Sequence, residues 1–132
     1  MAEIRNPSID IFREYVPDMA GFIEKGDRPG QSYLCKGKLR HLGKSALVDA
    51  FNYMKTIVPE DLWSKIKVTL ITPSWYHLRY KDGLAFPKDV YKTDEEYFDD
   101  VALAYQKELD LLYDAGVRNI QFDDPLFACK YN

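Results

Sequence analysis

Apolar residues recur along this chain with two different periods, and each period predicts a different kind of element. Between Lys44 and Val58 they recur at spacings of three and four, which predicts a helix lying on a sheet. A second helix is predicted to begin after Thr93, which forms a capping box with Glu96, and to end at Gly116. The apolar face of this second helix consists of Phe98, Val101, Ala102, Tyr105, Leu109 and Leu112.

Three short apolar runs, rich in β-branched residues and bounded by turn residues, predict strands near 33–39, 67–72 and 118–122. Strands that alternate with helices of this length form parallel sheets, so we expect an α/β fold with the order βαβαβ and helices on the outer side. Residues 1–31 are interrupted by proline and glycine and are predicted to form an N-terminal arm. Residues 32–132 are predicted to form one domain.

The composition narrows the choice of partners. The 132 residues carry a net charge of -3 with acids and bases mixed along the chain, so no basic stripe predicts nucleic-acid binding. No apolar run approaches the roughly 20 residues that cross a bilayer, and the first residues lack the apolar core of a signal peptide. We therefore expect no membrane contact and a cytoplasmic protein. Cys35 and Cys129 are far apart and predict no disulfide framework.

Candidate chemistry follows the second and third strands, because the carboxyl ends of parallel strands feed the loops in which barrel active sites lie. His77 and Arg79 alternate on a segment leaving a strand and could together bind an anionic group. The alternative is a solvated loop packed with aromatic residues. One carboxylate of the pair Asp123 and Asp124 could face the site while the other faces the wall. The alternative is a helix cap and a turn before Pro125.

Two stretches of the chain carry a resemblance to a known family. They are Lys67-Val-Thr-Leu-Ile-Thr-Pro-Ser74 and Tyr97 through Pro125, the second of which contains Leu112-Tyr-Asp-Ala-Gly116 and Ile120-Gln-Phe-Asp-Asp-Pro125. They resemble the C-terminal catalytic (β/α)8 barrel of the cobalamin-independent methionine synthases, and more closely the shorter relatives of that family. The resemblance covers about residues 30–128 and implies a partial (β/α)8 TIM-barrel segment.

This resemblance implies a chemistry and a place for one residue in it. The family transfers a methyl group from a folate-type donor to the thiol of homocysteine, which zinc holds as a thiolate. By its match to the family's motif, Asp123 would pair with the amino group of homocysteine. The family's zinc ligands lie beyond the Asp-Asp-Pro strand, so we expect no metal site and no cofactor in this chain. Zinc belongs to the complete family.

Two functional hypotheses follow from the resemblance. The first is a truncated relative of methionine synthase that is not catalytic alone, associates with itself and binds a small ligand. The second is a methyltransferase whose site is completed by oligomerisation or by a partner chain, so the question of enzymatic activity stays open. No catalytic residue is assigned under either hypothesis. The predicted substrate-binding residues are Asp123, Asp124, Ser74, Trp75, His77 and Arg79.

The expected form of self-association is a symmetric homodimer. It follows from open strand edges and from inward side chains that a partial barrel would leave facing water, at about 1.5 to 3 kcal/mol each. These inward residues are predicted to be Leu34, Val68, Leu70, Ile120 and Phe122. The competing expectation is a monomer in which the N-terminal arm folds back over the sheet.

Overall fold

A computed structural model of the protein describes residues 2–4, 32–78 and 83–124. The chain divides into two compact units. One comprises Met1–Leu39 and Ser74–Asp100, and the other Arg40–Pro73 and Val101–Asn132. Both are of mixed α/β character. None of the helices within the described ranges is long and apolar enough to span a membrane.

The first unit contains a pair of short antiparallel strands, β1 (Ala2–Ile4) and β2 (Ser32–Leu34). The prediction that the run at 33–39 forms the first strand of the parallel sheet is therefore wrong. A run of apolar residues indicates a strand but does not specify its partner, and here the partner comes from the segment predicted to be an arm. The strand is also shorter than expected, since extended pairing ends at Leu34, before Gly37.

An aromatic cluster forms the core of the first unit. Tyr97 is completely buried, Phe86 stacks on it with ring centroids 4.7 Å apart, and Tyr91 packs edge-on against both rings. The unit also contains a one-turn helix, α2 (Trp75–Leu78). The Tyr97 hydroxyl donates a hydrogen bond to the Tyr76 carbonyl at 3.2 Å, which ties α2 to this cluster.

The second unit contains the predicted helix α1 (Ala46–Ile57), a 3₁₀ helix (Glu60–Lys65) and the strands β3 (Lys67–Ile71) and β4 (Asn119–Asp123). The two strands pair in parallel, with Val68 opposite Ile120 and Leu70 opposite Phe122. The parallel pairing predicted for the second and third strands is confirmed. The full three-stranded sheet is not, because β3 and β4 form a two-stranded sheet within the described ranges.

The hydrophobic core of the second unit lies between this sheet and the helices. Phe51 of α1 packs with Val68 and Leu70 of β3, and with Leu112 and Val117 at the end of the long helix. The prediction that Val68 and Leu70 face the inside of a barrel is therefore wrong, since the helices bury them. Ile120 and Phe122 share that face and remain 36% and 46% exposed. The opposite face of the sheet is predominantly polar.

The long helix α3 (Asp94–Ala115) has the predicted bounds, and its ends explain why. At its start the Glu96 amide donates to the Thr93 hydroxyl at 3.3 Å, while the Glu96 carboxylate accepts from the Lys92 amide at 2.7 Å. The first bond is that of a capping box, and the second reaches one residue further back than the usual pattern. At its end Gly116 has a φ of 103°, which is the left-handed conformation of a helix C-cap.

Candidate functional site at the carboxyl edge of the parallel strands

Because β3 and β4 are parallel, their carboxyl ends lie at the same edge of the sheet. Asp123 is the last residue of β4, one position later than the predicted strand end. Its backbone carbonyl accepts a hydrogen bond from the Thr72 amide at 3.0 Å, so the ladder continues one residue past β3. A carboxylate therefore lies at the edge where sites of parallel sheets are found.

The turn that leads into β4 determines where this carboxylate lies. The Val117 amide donates to the Leu112 carbonyl at 2.9 Å, and the Gly116 amide donates to the Tyr113 carbonyl at 3.0 Å. These two bonds form a Schellman motif, and Val117 and Leu112 complete it by packing in the same core cluster. The motif ends α3, and β4 begins two residues after Val117. Because the start of β4 is fixed in this way, so is the position of Asp123 at its end.

Tyr105 attaches the long helix to the carboxyl ends of both strands. Its hydroxyl donates to the Ile71 carbonyl at 2.7 Å, and its ring stacks on Phe122 with centroids 6.2 Å apart. The sequence predicted Tyr105 only as part of an apolar helix face. A tyrosine on such a face is a signal for a buried partner, because its hydroxyl needs an acceptor where water is excluded.

The polar face of the sheet carries a line of hydrogen-bonded side chains. The Lys67 ammonium donates to Gln121 Oε1 at 2.6 Å, and Gln121 Nε2 donates to Asp123 Oδ1, also at 2.6 Å. Gln121 and Asp123 are two residues apart on a strand and therefore share a face. Both are exposed. Within the described ranges Asp123 Oδ2 accepts no hydrogen bond, so this oxygen is available to a ligand.

Asp124 follows the strand and is also exposed. It directly follows a strand residue whose side chain lies on the polar face, so the alternation of the strand favours Asp123, rather than Asp124, for that face. The alternative interpretation, a cap and turn before Pro125, depends on residues outside the described ranges.

The other predicted site residues belong to the first unit. Ser74 precedes α2, and its carbonyl accepts from the His77 amide at 3.1 Å; Trp75 begins the helix and is partly buried. The premise that His77 lies on an extended segment is wrong, because residues 75–78 form a helical turn. Arg79 lies outside the described residues.

His77 is oriented by aromatic rings and by a carboxylate. Its ring packs against Phe98 with centroids 5.1 Å apart, and its Nε2 lies 3.9 Å from Asp94 Oδ2. The Nδ1 atom is buried and makes no hydrogen bond with any residue that the structure describes. Among the described residues, the charged group near His77 is therefore an acid of its own unit, whereas the sequence predicted an anionic ligand.

A polar cluster in the second unit was not found from the sequence. Glu108 accepts hydrogen bonds from the Ser45 hydroxyl and from His41 Nε2, the latter at 2.7 Å. His41 Nδ1 accepts from the Gly43 amide at 2.9 Å, so the proton resides on Nε2 and both ring nitrogens are engaged. The available signal was an acid at position 108 next to Leu109, on the apolar side of α3. A partly buried acid there favours hydrogen-bond donors as partners.

Cys35 lies in the first unit, close to Gly37. The Cys35 thiol is unpaired and buried, and it donates to the Gly37 carbonyl at 3.2 Å. It lines a cleft of about 470 Å³ in the first unit. Across the parts of the chain that the structure describes, no group of three or more His, Cys, Asp or Glu side chains could hold a metal ion.

Comparison with known proteins adds one relative. A protein of Bacillus subtilis (strain 168), named uncharacterized protein YxjH, is 51% identical to this chain over 58 residues. The match covers 44% of the chain and 14% of YxjH, so the matched stretch is a small part of that longer protein. No family model matches the chain. No solved structure matches it either.

Proposed function

We propose that this chain is a segment of a methionine-synthase-like barrel whose Asp123 binds the ammonium group of the amino-acid substrate. We further propose that alone it binds this substrate without methylating it. The observation that carries the proposal is the exposed Asp123 carboxylate at the carboxyl edge of two parallel strands, whose Oδ2 accepts no hydrogen bond from the described residues. An ammonium group supplies the charge and the hydrogen-bond donors that a carboxylate oxygen accepts.

The fold supports the proposed barrel as far as one strand–helix–strand unit. The order β3, α3, β4 with parallel pairing is the strand–helix–strand unit from which barrels and open α/β sheets are both built. The choice of a (β/α)8 barrel rests on the resemblance of residues 67–74 and 97–125 to the methionine synthase family.

The proposal is limited to binding because of the metal that the family uses. Zinc would hold the homocysteine sulfur as a thiolate at neutral pH, and a catalytic zinc site takes three protein ligands. The described side chains offer no group of three suitable ligands, so they do not fit such a site. The Asp123 carboxylate does fit the recognition of an amino acid through its positively charged ammonium group.

The test is a titration of the isotopically labelled chain with L-homocysteine, followed by NMR, in the wild type and in Asp123→Asn. Asp123 is exposed, so its ion pair contributes no more than about 1 kcal/mol, which corresponds to about fivefold in Kd. We expect Asp123→Asn to weaken binding by about three- to fivefold. The matched control is Asp124→Asn, with the same charge change at the neighbouring position, and we expect its Kd to stay within about twofold of wild type.

A second ligand makes this test specific for the ammonium group. The thiol acid 4-mercaptobutanoate has the carbon chain of homocysteine without its amino group. It should bind wild type and Asp123→Asn equally weakly. Homocysteine binding that is insensitive to Asp123, or no homocysteine binding at all, would refute the proposal.

We also propose that the chain associates with itself as a homodimer. Ile120 and Phe122 are partly exposed on β4, and among the described strands β4 pairs only with β3. An unpaired strand edge with apolar side chains favours association.

A further inference from the structure

Three side chains on the polar face of the second unit's sheet form a continuous line that ends at the proposed ligand-binding carboxylate. Lys67 lies on β3, and Gln121 and Asp123 lie on β4. The two hydrogen bonds that join them are both 2.6 Å long. Lys67 is opposite Asn119 in the register, so its long side chain reaches diagonally to Gln121.

The chemistry of the two ends determines the orientation of the amide between them. An ammonium group can only donate hydrogen bonds, and an ionised carboxylate can only accept them. Gln121 must therefore present Oε1 to Lys67 and Nε2 to Asp123, because the opposite orientation would lose both bonds. The Lys67 ammonium on β3 therefore fixes the orientation of the Gln121 amide, and this amide in turn orients the Asp123 carboxylate on β4.

The bond from Gln121 also distinguishes the two oxygens of Asp123. Oδ1 is occupied by the amide, whereas Oδ2 accepts nothing within the described residues. A carboxylate held at one oxygen has less rotational freedom to lose when a ligand binds at the other.

We propose that Gln121 and Lys67 are positioning residues that orient the Asp123 carboxylate so that Oδ2 is presented to the ammonium group of the substrate. This inference rests on the proposed function, since it presumes that Asp123 is the ligand-binding group. Neither Gln121 nor Lys67 contacts the ligand in this arrangement. Their effect passes through the orientation of Asp123.

The first part of the test needs no ligand. The side-chain amide resonances of Gln121 are recorded in wild type, Asp123→Asn and Asp124→Asn. Removing the charged acceptor in Asp123→Asn should shift the Gln121 Nε2 proton resonances clearly, whereas Asp124→Asn should leave them in place. Lys67→Met should also shift them, because the bond to Oε1 is lost. Gln121 resonances that respond to neither Asp123→Asn nor Lys67→Met overturn the inference, whatever the ligand does.

The second part compares two isosteric amide-to-acid changes on the same face of β4. In Gln121→Glu the new carboxylate still accepts from Lys67 but cannot donate to Asp123, and it places like charges side by side. Asn119→Asp adds the same charge to this face, but Asn119 donates to the Ser64 carbonyl and is not part of the line. We expect Gln121→Glu to weaken homocysteine binding about three- to fivefold, and Asn119→Asp to weaken it less than about twofold.

The outcomes separate this inference from the proposed function. If Asp123→Asn weakens binding while Gln121→Glu behaves like Asn119→Asp, the positioning role is wrong and the proposed function stands. If wild type binds no homocysteine, the proposed function fails and the positioning role fails with it, even where the Gln121 resonances respond as expected. Support requires the resonance shifts and the larger effect of Gln121→Glu together.

Discussion

At the scale of single residues, Tyr91 shows how strongly the local surroundings change the pKa of a side chain. Its ring is 1% exposed, and its hydroxyl accepts from the Leu39 amide at 2.6 Å and donates to Asp100 Oδ2 at 2.8 Å. The pKa of Tyr91 is raised from 10.0 to about 12, and burial is the largest cause. The hydrogen bond to Asp100 and the negative charge of that carboxylate contribute to the same rise, while the Leu39 donor opposes it.

A pH dependence of stability follows from this pKa. The folded chain holds the Tyr91 proton more tightly than the unfolded chain, so the contribution to stability is complete below pH 10 and is lost as the pH rises to about 12. Near neutral pH we expect Tyr91→Phe to reduce the free energy of unfolding by about 1 to 3 kcal/mol, because it leaves the half-buried Leu39 amide and the Asp100 carboxylate without the Tyr91 hydroxyl. This difference from wild type should shrink above pH 10.

The measurement is urea unfolding at several pH values between about 8 and 11.5. Tyr113→Phe is the control, since Tyr113 is 63% exposed. This variant should follow wild type across the whole range. A Tyr91→Phe deficit that stays constant above pH 10 would show that Tyr91 does not titrate differently in the folded and unfolded states.

At the scale of elements, the junction between α3 and β4 depends on one glycine. Gly116 has a φ of 103°, a conformation that costs other L-residues about 1 to 2 kcal/mol. A β-carbon at this position would lie 3.8 Å from Phe51 Cε1, which is an ordinary contact. The backbone conformation, rather than lack of space, is therefore what requires glycine here.

We expect Gly116→Ala to reduce the free energy of unfolding by about 1 to 2 kcal/mol. Gly37→Ala is the matched control. Gly37 is not in the left-handed region, and a β-carbon there would meet nothing within 4 Å. That control should be neutral or slightly stabilising, because alanine restricts the unfolded chain. Equal effects of the two substitutions in chemical denaturation would contradict the role of the Schellman motif.

At the scale of the whole molecule, the exposed apolar residues of β4 bear on association. Sedimentation at micromolar concentration should give a species of twice the 15.4 kDa of one chain. If the interface covers β4, Ile120→Lys should shift the protein towards the monomer, because a charge would then be buried without a partner. Leu103→Lys is the control, since Leu103 is 61% exposed on α3. Wild type that sediments as a single 15.4 kDa species would refute the dimer.

The sequence by itself determined the elements whose signals are local. The apolar periodicity predicted both long helices, and the capping residue Thr93 and the C-cap Gly116 set the ends of α3 within the chain itself. The β-branched runs predicted β3 and β4, and the alternation of strands and helices predicted their parallel pairing. These features depend on residues a few positions apart, so their pattern can be read along the chain.

Only the tertiary structure decided which surfaces and partners these elements take. The run at 32–34 pairs with Ala2–Ile4 in antiparallel fashion. The helices bury Val68 and Leu70, which were predicted from the sequence to face a barrel interior. Glu108 forms hydrogen bonds with Ser45 and His41, which are more than 60 residues away in the sequence. Lys67 forms a hydrogen bond with Gln121 on the neighbouring strand. The physical reason is that a side chain's type states what partner it needs, whereas only the folded backbone brings that partner within hydrogen-bonding distance.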